Sequence, residues 1–346
     1  MLIFRYIFFF IFSLTLSYTS TYIKLYKHIT SKLDTKDVYK SESDVLVATS
    51  GGLYSIRNND IFDIDLLDAV NLTTISTLDN NNNNWVASQN KGVIQILNTD
   101  KIVETVISYP DNIDFISDIV HYSSKSYAIG CRGECNNYSS SNDEYFIIEY
   151  DGYYYNNIIE NIGYNFNVIN DLELYNNYIY LATDLGLFSA DLNDNLLFQD
   201  NWSLSYSSEN IISICSNLAI SSNLIINLNL NETYDYDIDD KVVSIYDFNN
   251  NGIFHLLTED NLYTINNDFS VTQMLFNKPL NIKTPFTSIC YFEDKYYFGL
   301  RNAGIAVYEH NLNSWSFIIP NTIFKNGFDS INIDNNILVG ISKLGG

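Results

Sequence analysis

An all-β fold is what the sequence predicts: a seven-bladed β-propeller of four-stranded antiparallel blades, following an N-terminal signal peptide. Three observations carry the prediction. A strand–turn–strand unit recurs along the whole chain, and units of about 40–45 residues with four strands each are the mark of propeller blades. The corners of the unit are Gly or Asn, which enter positive φ at little cost, as tight two-strand hairpins require. Short apolar runs separate those corners, only four prolines occur, and no helical periodicity persists for long.

Residues 1–20 hold one basic residue, Arg5, then the apolar run Ile7–Leu16 and small polar residues at Ser17, Thr19 and Ser20. That is the layout of a secretory signal peptide. The alternative is an uncleaved anchor, but the run is shorter than the roughly 20 residues that span a bilayer. Residues 21–42 read as a polar lead-in, with one strand at Tyr22–Leu25 or none, and residues 43–346 as the propeller.

Repeats begin with VLVATSGGLYSI (Val45–Ile56) and continue with ISTLDNNNNNWVASQNKGVIQI (Ile75–Ile96), the fullest copy. Later copies are YIYLATDLGLFSADL (Tyr178–Leu192), IFHLLTEDNLYTI (Ile253–Ile265) and YYFGLRNAGIAVY (Tyr296–Tyr308). Their corner residues Gly52, Gly92, Gly186, Asn261 and Gly304 are separated by 40, 94, 75 and 43 residues. The two long gaps hold weaker copies at 116–150 and 211–228, so Gly52 to Gly304 makes six steps of 42 residues. A preceding corner lies at Asp79–Asn84, Asn176–Asn177, Asn249–Gly252, Glu293–Lys295 and Asp334–Asn336. The second strands are nearly continuous apolar runs, as expected for strands sandwiched between sheets. Seven units centre near residues 52, 92, 145, 186, 226, 261 and 304. An eighth copy begins in FDSINIDNNILVGIS (Phe328–Ser342). It is expected to supply the first strand missing from the unit at Gly52, closing the ring, in a protein that continues past Gly346.

Composition narrows the function. Hydrophobic residues make up 46% of the chain and aromatic residues 15%, ample for a core. Eighteen Lys and Arg face 41 Asp and Glu, a net charge of -23. Such a polyanion is a poor partner for nucleic acid, where binding requires basic side chains to neutralise phosphates. Four cysteines in a chain this long are not a disulfide scaffold. Cys215 and Cys290 sit at matching places in ISIC and TSIC and read as core residues, whereas Cys131 and Cys135 flank a loop and suit a local disulfide in an oxidising compartment.

The segment Asp79–Asn84, Trp85-Val86-Ala87-Ser88 and then Gly92-Val93 resembles the two-component regulator propeller repeat. That unit has an acidic residue, a turn, Trp, an apolar residue, two small residues, then Gly and a strand. ATSGGLY (Ala48–Tyr54) and ATDLGLF (Ala182–Phe188) resemble its third-strand entry. Asn82 stands where the family usually has Gly, and the other copies lack the Trp. The resemblance implies a recognition scaffold of the kind found in periplasmic sensor halves of hybrid histidine kinases and in surface propellers of type IX secretion. It implies no catalytic residue and no cofactor.

Other constellations are weak. His28, His121, His255 and His310 fall in different units without ligand spacing, and no metal site is read from them. The run Asp235–Asp240 starts like a calcium loop but lacks Gly at its sixth place and Glu at its twelfth, and reads as a solvated turn. No G-x-S-x-G elbow occurs, and Thr77-x-Asp79 only grazes the box of some glycosidase propellers. The turns between second and third strands gather on one face of a propeller. Here they hold Lys91, Arg132 and Arg301 beside Gln89, Asp184 and Glu259, either an anion-binding rim or ordinary turn residues.

The expectation is therefore an exported protein, periplasmic or at the cell surface, that binds an unknown protein or glycan through its loops and has no membrane insertion after signal cleavage. The alternatives are a carbohydrate-active or lyase-type propeller enzyme and a structural component of a surface or secretion apparatus.

Overall fold

The computed structural model describes residues 32–342 except for 65–66, 68–69, 80–82, 90–91, 98–101, 108–112, 134–142, 152–153, 208, 250, 275, 277–278, 280–281, 321–327 and 335–336. Residues 1–20, read above as a signal peptide, and Tyr22–Leu25, His28, Lys91 and Cys135 lie outside the described residues.

Seven four-stranded antiparallel sheets form, each in simple sequence order. Blade 1 holds β1 (Thr35–Lys40), β2 (Val45–Thr49), β3 (Gly52–Arg57) and β4 (Asp60–Asp63); blade 2 holds β5 (Leu72–Leu78), β6 (Asn84–Ser88), β7 (Gly92–Leu97) and β8 (Ile102–Ile107). Blade 3 holds β9 (Phe115–Tyr122), β10 (Lys125–Arg132), β11 (Glu144–Asp151) and β12 (Tyr154–Ile159). Blade 4 holds β13 (Ile169–Tyr175), β14 (Tyr178–Thr183), β15 (Gly186–Asp191) and β16 (Trp202–Ser207). Blade 5 is the smallest, with β17 (Ser213–Cys215), β18 (Leu218–Ile220), β19 (Leu224–Asn227) and β20 (Glu232–Asp235). Blade 6 holds β21 (Val242–Tyr246), β22 (Phe254–Thr258), β23 (Leu262–Ile265) and β24 (Val271–Gln273). Blade 7 holds β25 (Phe286–Phe292), β26 (Lys295–Leu300), β27 (Gly304–Glu309) and β28 (Ser314–Ile318). Each first strand packs against the first strand of the next blade, and β25 packs back on β1. The molecule is a seven-bladed β-propeller.

Two expectations about the ends are corrected. The first strand of blade 1 is β1, inside the segment read as a lead-in, so the ring begins at Thr35 rather than at residue 43. TKDVYK reads as polar because only Thr35 and Val38 are buried in it. The copy at Phe328–Ser342 does not supply that strand. It folds into β29 (Phe328–Asp334) and β30 (Ile337–Ser342), which among the described residues pair only with each other.

Apolar side chains from adjacent blades form one buried cluster per interface, seven in all. Strand β2 shows why second strands are continuous apolar runs. Leu46 and Ala48 enter the cluster shared with blade 2, while Val45 and Val47 enter the one shared with blade 7. Successive side chains of a strand point to opposite faces, and both faces here are interfaces. Outer strands alternate between exposed and covered positions, as in the Trp202–Ser207 strand.

The corners follow local chemistry. Asn176-Asn177 and Glu293-Asp294 each place two successive residues at positive φ, 49° and 68° and then 48° and 60°, the turn that matches strand twist. Asp79 explains the spacing to Trp85: one carboxylate oxygen accepts from the Asn83 amide at 2.9 Å, the other from the Trp85 indole N–H at 2.9 Å. At the next corner Gly52, Gly92, Gly186 and Gly304 all have positive φ, whereas Asn261 does not. Its side chain instead bonds Asp240, which also receives the Thr258 and Tyr263 hydroxyls at 3.3 and 3.2 Å. The acidic run is thus partly a staple of blade 6 rather than a solvated turn.

Candidate functional site

Each inner strand except the very short β17 carries a β-bulge near its start, as between Asp37 and Thr35 or between Asp171 and Ile169. A bulge re-aims the side chain that follows it. That side chain is small and polar in every blade: Asp37, Thr74, Asp118, Asp171, Ser213, Ser244 and Ser288, each followed by Val, Ile or Leu. An inner strand has a neighbour on one side only, so some of its amides lack a ladder partner. The next-door polar side chain supplies one. Asp37 accepts from the Ile75 amide at 2.9 Å and the Thr74 hydroxyl at 3.1 Å. Asp171 accepts from the Ile214 amide at 2.7 Å and the Ser213 hydroxyl at 2.6 Å, and the Ser213 hydroxyl meets that of Ser244 at 2.8 Å. At the last seam the Thr35 hydroxyl donates to the Gly304 carbonyl at 3.0 Å, and the Gly304 amide to Leu33 at 2.9 Å. These seam bonds are structural and occupy the Asp37 and Asp171 carboxylates, whereas the Ser288 hydroxyl of blade 7 makes no hydrogen bond among the described residues.

Two further inner-strand groups titrate unusually. His121 sits between Ser126, 2.6 Å from Nδ1, and Ser76, 2.8 Å from Nε2, across the seam of blades 2 and 3. Burial pushes it down to about 4, so it is neutral at physiological pH. Glu173 is pushed up to about 7, again by burial, against an opposing bond from the Leu174 amide. The signs oppose each other. Between pH 4 and 6.5 the unfolded chain binds the extra proton at His121, so this group costs stability as pH falls. Between 4.5 and 7 the folded chain holds the extra proton at Glu173, so that group costs stability as pH rises. Each amounts to about 3 kcal/mol over its range. Urea unfolding from pH 4.5 to 6.5 is expected to become steeper toward alkaline loss in His121→Gln and toward acid loss in Glu173→Gln; parallel profiles would refute both assignments.

The described rim residues, Gln89, Arg132, Asp184, Glu259 and Arg301, share one face, because the turns from second to third strand leave their blades on the same side. Most of them are engaged by neighbouring groups. Arg132 is engaged by Glu144 at 2.7 Å and Glu160 at 3.6 Å and lies over the Phe146 ring. Glu259 takes Lys241 at 3.0 Å, Asp184 accepts from the Asn167 and Val168 amides at 2.9 and 3.2 Å, and Gln89 bonds Asn71. Arg301 is exposed and in no ion pair among the described residues. Cys131 is disulfide-bonded, while Cys215 and Cys290 are free thiols that burial pushes well up, hence unreactive. Among the described residues no cluster of His, Cys, Asp and Glu is arranged to hold a metal ion.

The opposite face carries a feature that motif reading missed. Tyr122, Tyr154, Tyr155 and Tyr178 are 39, 78, 47 and 40% exposed on the first and third turns of blades 3 and 4, and Leu197 and Phe198 are exposed on the third turn of blade 4. Tyr122 bonds Asn177 across the blade boundary, and Tyr175 reaches Asn229 of blade 5 at 2.9 Å. The signal was the density of Tyr in YDGYYY (Tyr150–Tyr155) and YNNYIY (Tyr175–Tyr180) at hairpin positions.

No protein-family model and no curated protein sequence matches the chain. Among solved structures it is similar to PorZ, described as an essential surface component of the type-IX secretion system of Porphyromonas gingivalis, with 14% identity and a TM-score of 0.62 over 92% of this chain and 43% of PorZ. It is also similar to the extracellular domain of the one-component system BT4673 of B. thetaiotaomicron, with 13% identity and a TM-score of 0.57 over 90% of this chain and 44% of that one. BamB of Moraxella catarrhalis gives 11% identity and a TM-score of 0.52 over 83% of this chain and 98% of BamB. At such identities the likeness is one of fold. The chain spans less than half the length of the first two. Among the described residues no helix is long and apolar enough to cross a membrane.

Proposed function

We propose that this propeller is an exported interaction module, of the two-component regulator propeller kind, that binds a protein or glycan through the hairpin face of blades 3 and 4. The exposed tyrosines carry the reading. Tyr offers large, rigid, amphipathic contact area at low entropic cost, and neighbouring Asn amides offer both donors and acceptors. The rim arginine Arg132, held by two carboxylates, makes a weaker case for anion binding. Export is supported by the layout of residues 1–20, by the disulfide at Cys131, and by fold neighbours described as a surface component and an extracellular domain.

The test compares wild type with Tyr154→Ala/Tyr155→Ala/Tyr178→Ala on a glycan array and by cross-linking on intact cells. The triple variant should keep its thermal stability and lose at least about tenfold in binding. Undiminished binding would sink the assignment of this face, and recovery of the chain from the cytoplasm with residues 1–20 intact would sink export.

A further inference from the structure

We propose that Asp118 and Asp171 share one proton, and that this carboxyl–carboxylate pair clamps blade 4 between blades 3 and 5. The Leu172 amide lies 3.2 Å from Asp118 Oδ2 and 2.8 Å from Asp171 Oδ1, so a single N–H faces two carboxyl groups from adjacent blades. Two negative charges around one donor inside a protein repel strongly, and such sites keep a proton. Among the described residues no Lys or Arg is ion-paired with either carboxyl. The charge of Asp171 is felt by Glu173 on its own strand, by the Cys215 thiol on β17 and by the Tyr246 hydroxyl on β21, which also feels Asp37 of blade 1. On β9, His121 is tied to Ser76 and Ser126. On β10, Lys125 and Arg132 are held by Glu149 and Glu144 at 3.2 and 2.7 Å.

Hydrogen bonding decides which group keeps the proton. Asp171 accepts from three donors: the Leu172 amide on one oxygen, the Ser213 hydroxyl and Ile214 amide on the other. Asp118 accepts from its own Ile119 amide at 2.8 Å and only distantly from Leu172. The negative charge therefore rests on Asp171, and Asp118 holds the proton and donates it to Asp171. Burial first, and then the Asp171 charge, push Asp118 well above the usual carboxylate range. The chain Asp118–Asp171–Ser213–Ser244 thus runs through four consecutive blades. When the proton leaves for solvent as pH rises, the middle of that chain carries two charges on one amide.

The experiment uses the full chain and Asp118→Asn, whose amide can still donate but cannot titrate. Infrared spectra at neutral pH should show one protonated-carboxyl C=O band in wild type that the variant lacks. Because the folded chain holds the extra proton, wild-type stability falls as pH rises through the titration of the pair. The unfolding constant of Asp118→Asn should be less pH-dependent there by one proton, a tenfold difference per pH unit. A difference spectrum without that band, or equal pH slopes for the two proteins, overturns the proposal. If Asp118→Asn does not fold, the band is followed in wild type after labelling aspartate carboxyls. A labelled band that disappears over the range in which stability falls supports the shared proton, and its absence at neutral pH overturns it.

Discussion

Gly186→Ala is expected to destabilise the chain by about 3–5 kcal/mol, against a typical point-mutant cost of about 1 kcal/mol. Gly186 opens β15 at φ 139°, a region that L side chains rarely adopt, and a Cβ there would stand 2.1 Å from the Tyr206 carbonyl oxygen. The obstacle is backbone of the outer strand, so relief requires β16 to move and its pairing with β15 to loosen. Gly252→Ala is the matched control. Its φ of 77° is also positive, but no atom lies within 4 Å of the added carbon, so only the conformational cost of about 1–2 kcal/mol remains. Chemical denaturation of the two variants separates the terms; equal losses would show that the close approach to Tyr206 is not what fixes this corner.

Asp171→Ala is the second large loss, about 3–5 kcal/mol. It takes the acceptor from the Ile214 amide and leaves the Leu172 amide only the longer bond to Asp118 and the Ser213 hydroxyl only Ser244, and each buried donor left poorly paired costs about 1–3 kcal/mol. Part of that is returned, because burying the carboxylate is itself unfavourable. Ser213→Ala removes one donor and leaves Asp171 with two amides, so it should cost about 1 kcal/mol. Equilibrium unfolding of both variants checks the ranking, and an Asp171→Ala protein as stable as Ser213→Ala would mean the seam bonds are incidental to blade packing.

The fold was legible because its signals are local. Gly52, Gly92, Gly186 and Gly304 sit at positive φ where the two-strand corners require it, and the apolar second strands are buried on both faces. The start of the ring was not, because β1 buries so little of itself that TKDVYK resembles a linker. An inner strand is recognised better by a small polar residue before an aliphatic one, the pair that recurs from Asp37-Val38 to Ser288-Ile289. Ser330-Ile331 repeats it in β29 with the same register shift, so this hairpin carries the sequence signature of an inner strand without joining a blade. Sequence places Arg132 on a turn but cannot reveal Glu144 and Glu160 beside it. No catalytic or metal-binding pattern contains the tyrosine surface, so only the Tyr-dense hairpins signal it in the chain.

The most direct test of the architecture asks which end closes the ring. Thermal unfolding is measured on the intact chain, on a chain ending at Pro320, and on one starting at Val45. Removing β29 and β30 should leave the transition unchanged, since among the described residues those strands pair only with each other. Removing β1 should lower the transition sharply or abolish folding, because β25 loses its neighbour and the Thr35–Gly304 bond is gone. The reverse pattern, with a chain from Val45 that is stable and one ending at Pro320 that is not, would contradict a ring closed by packing of β1 against β25.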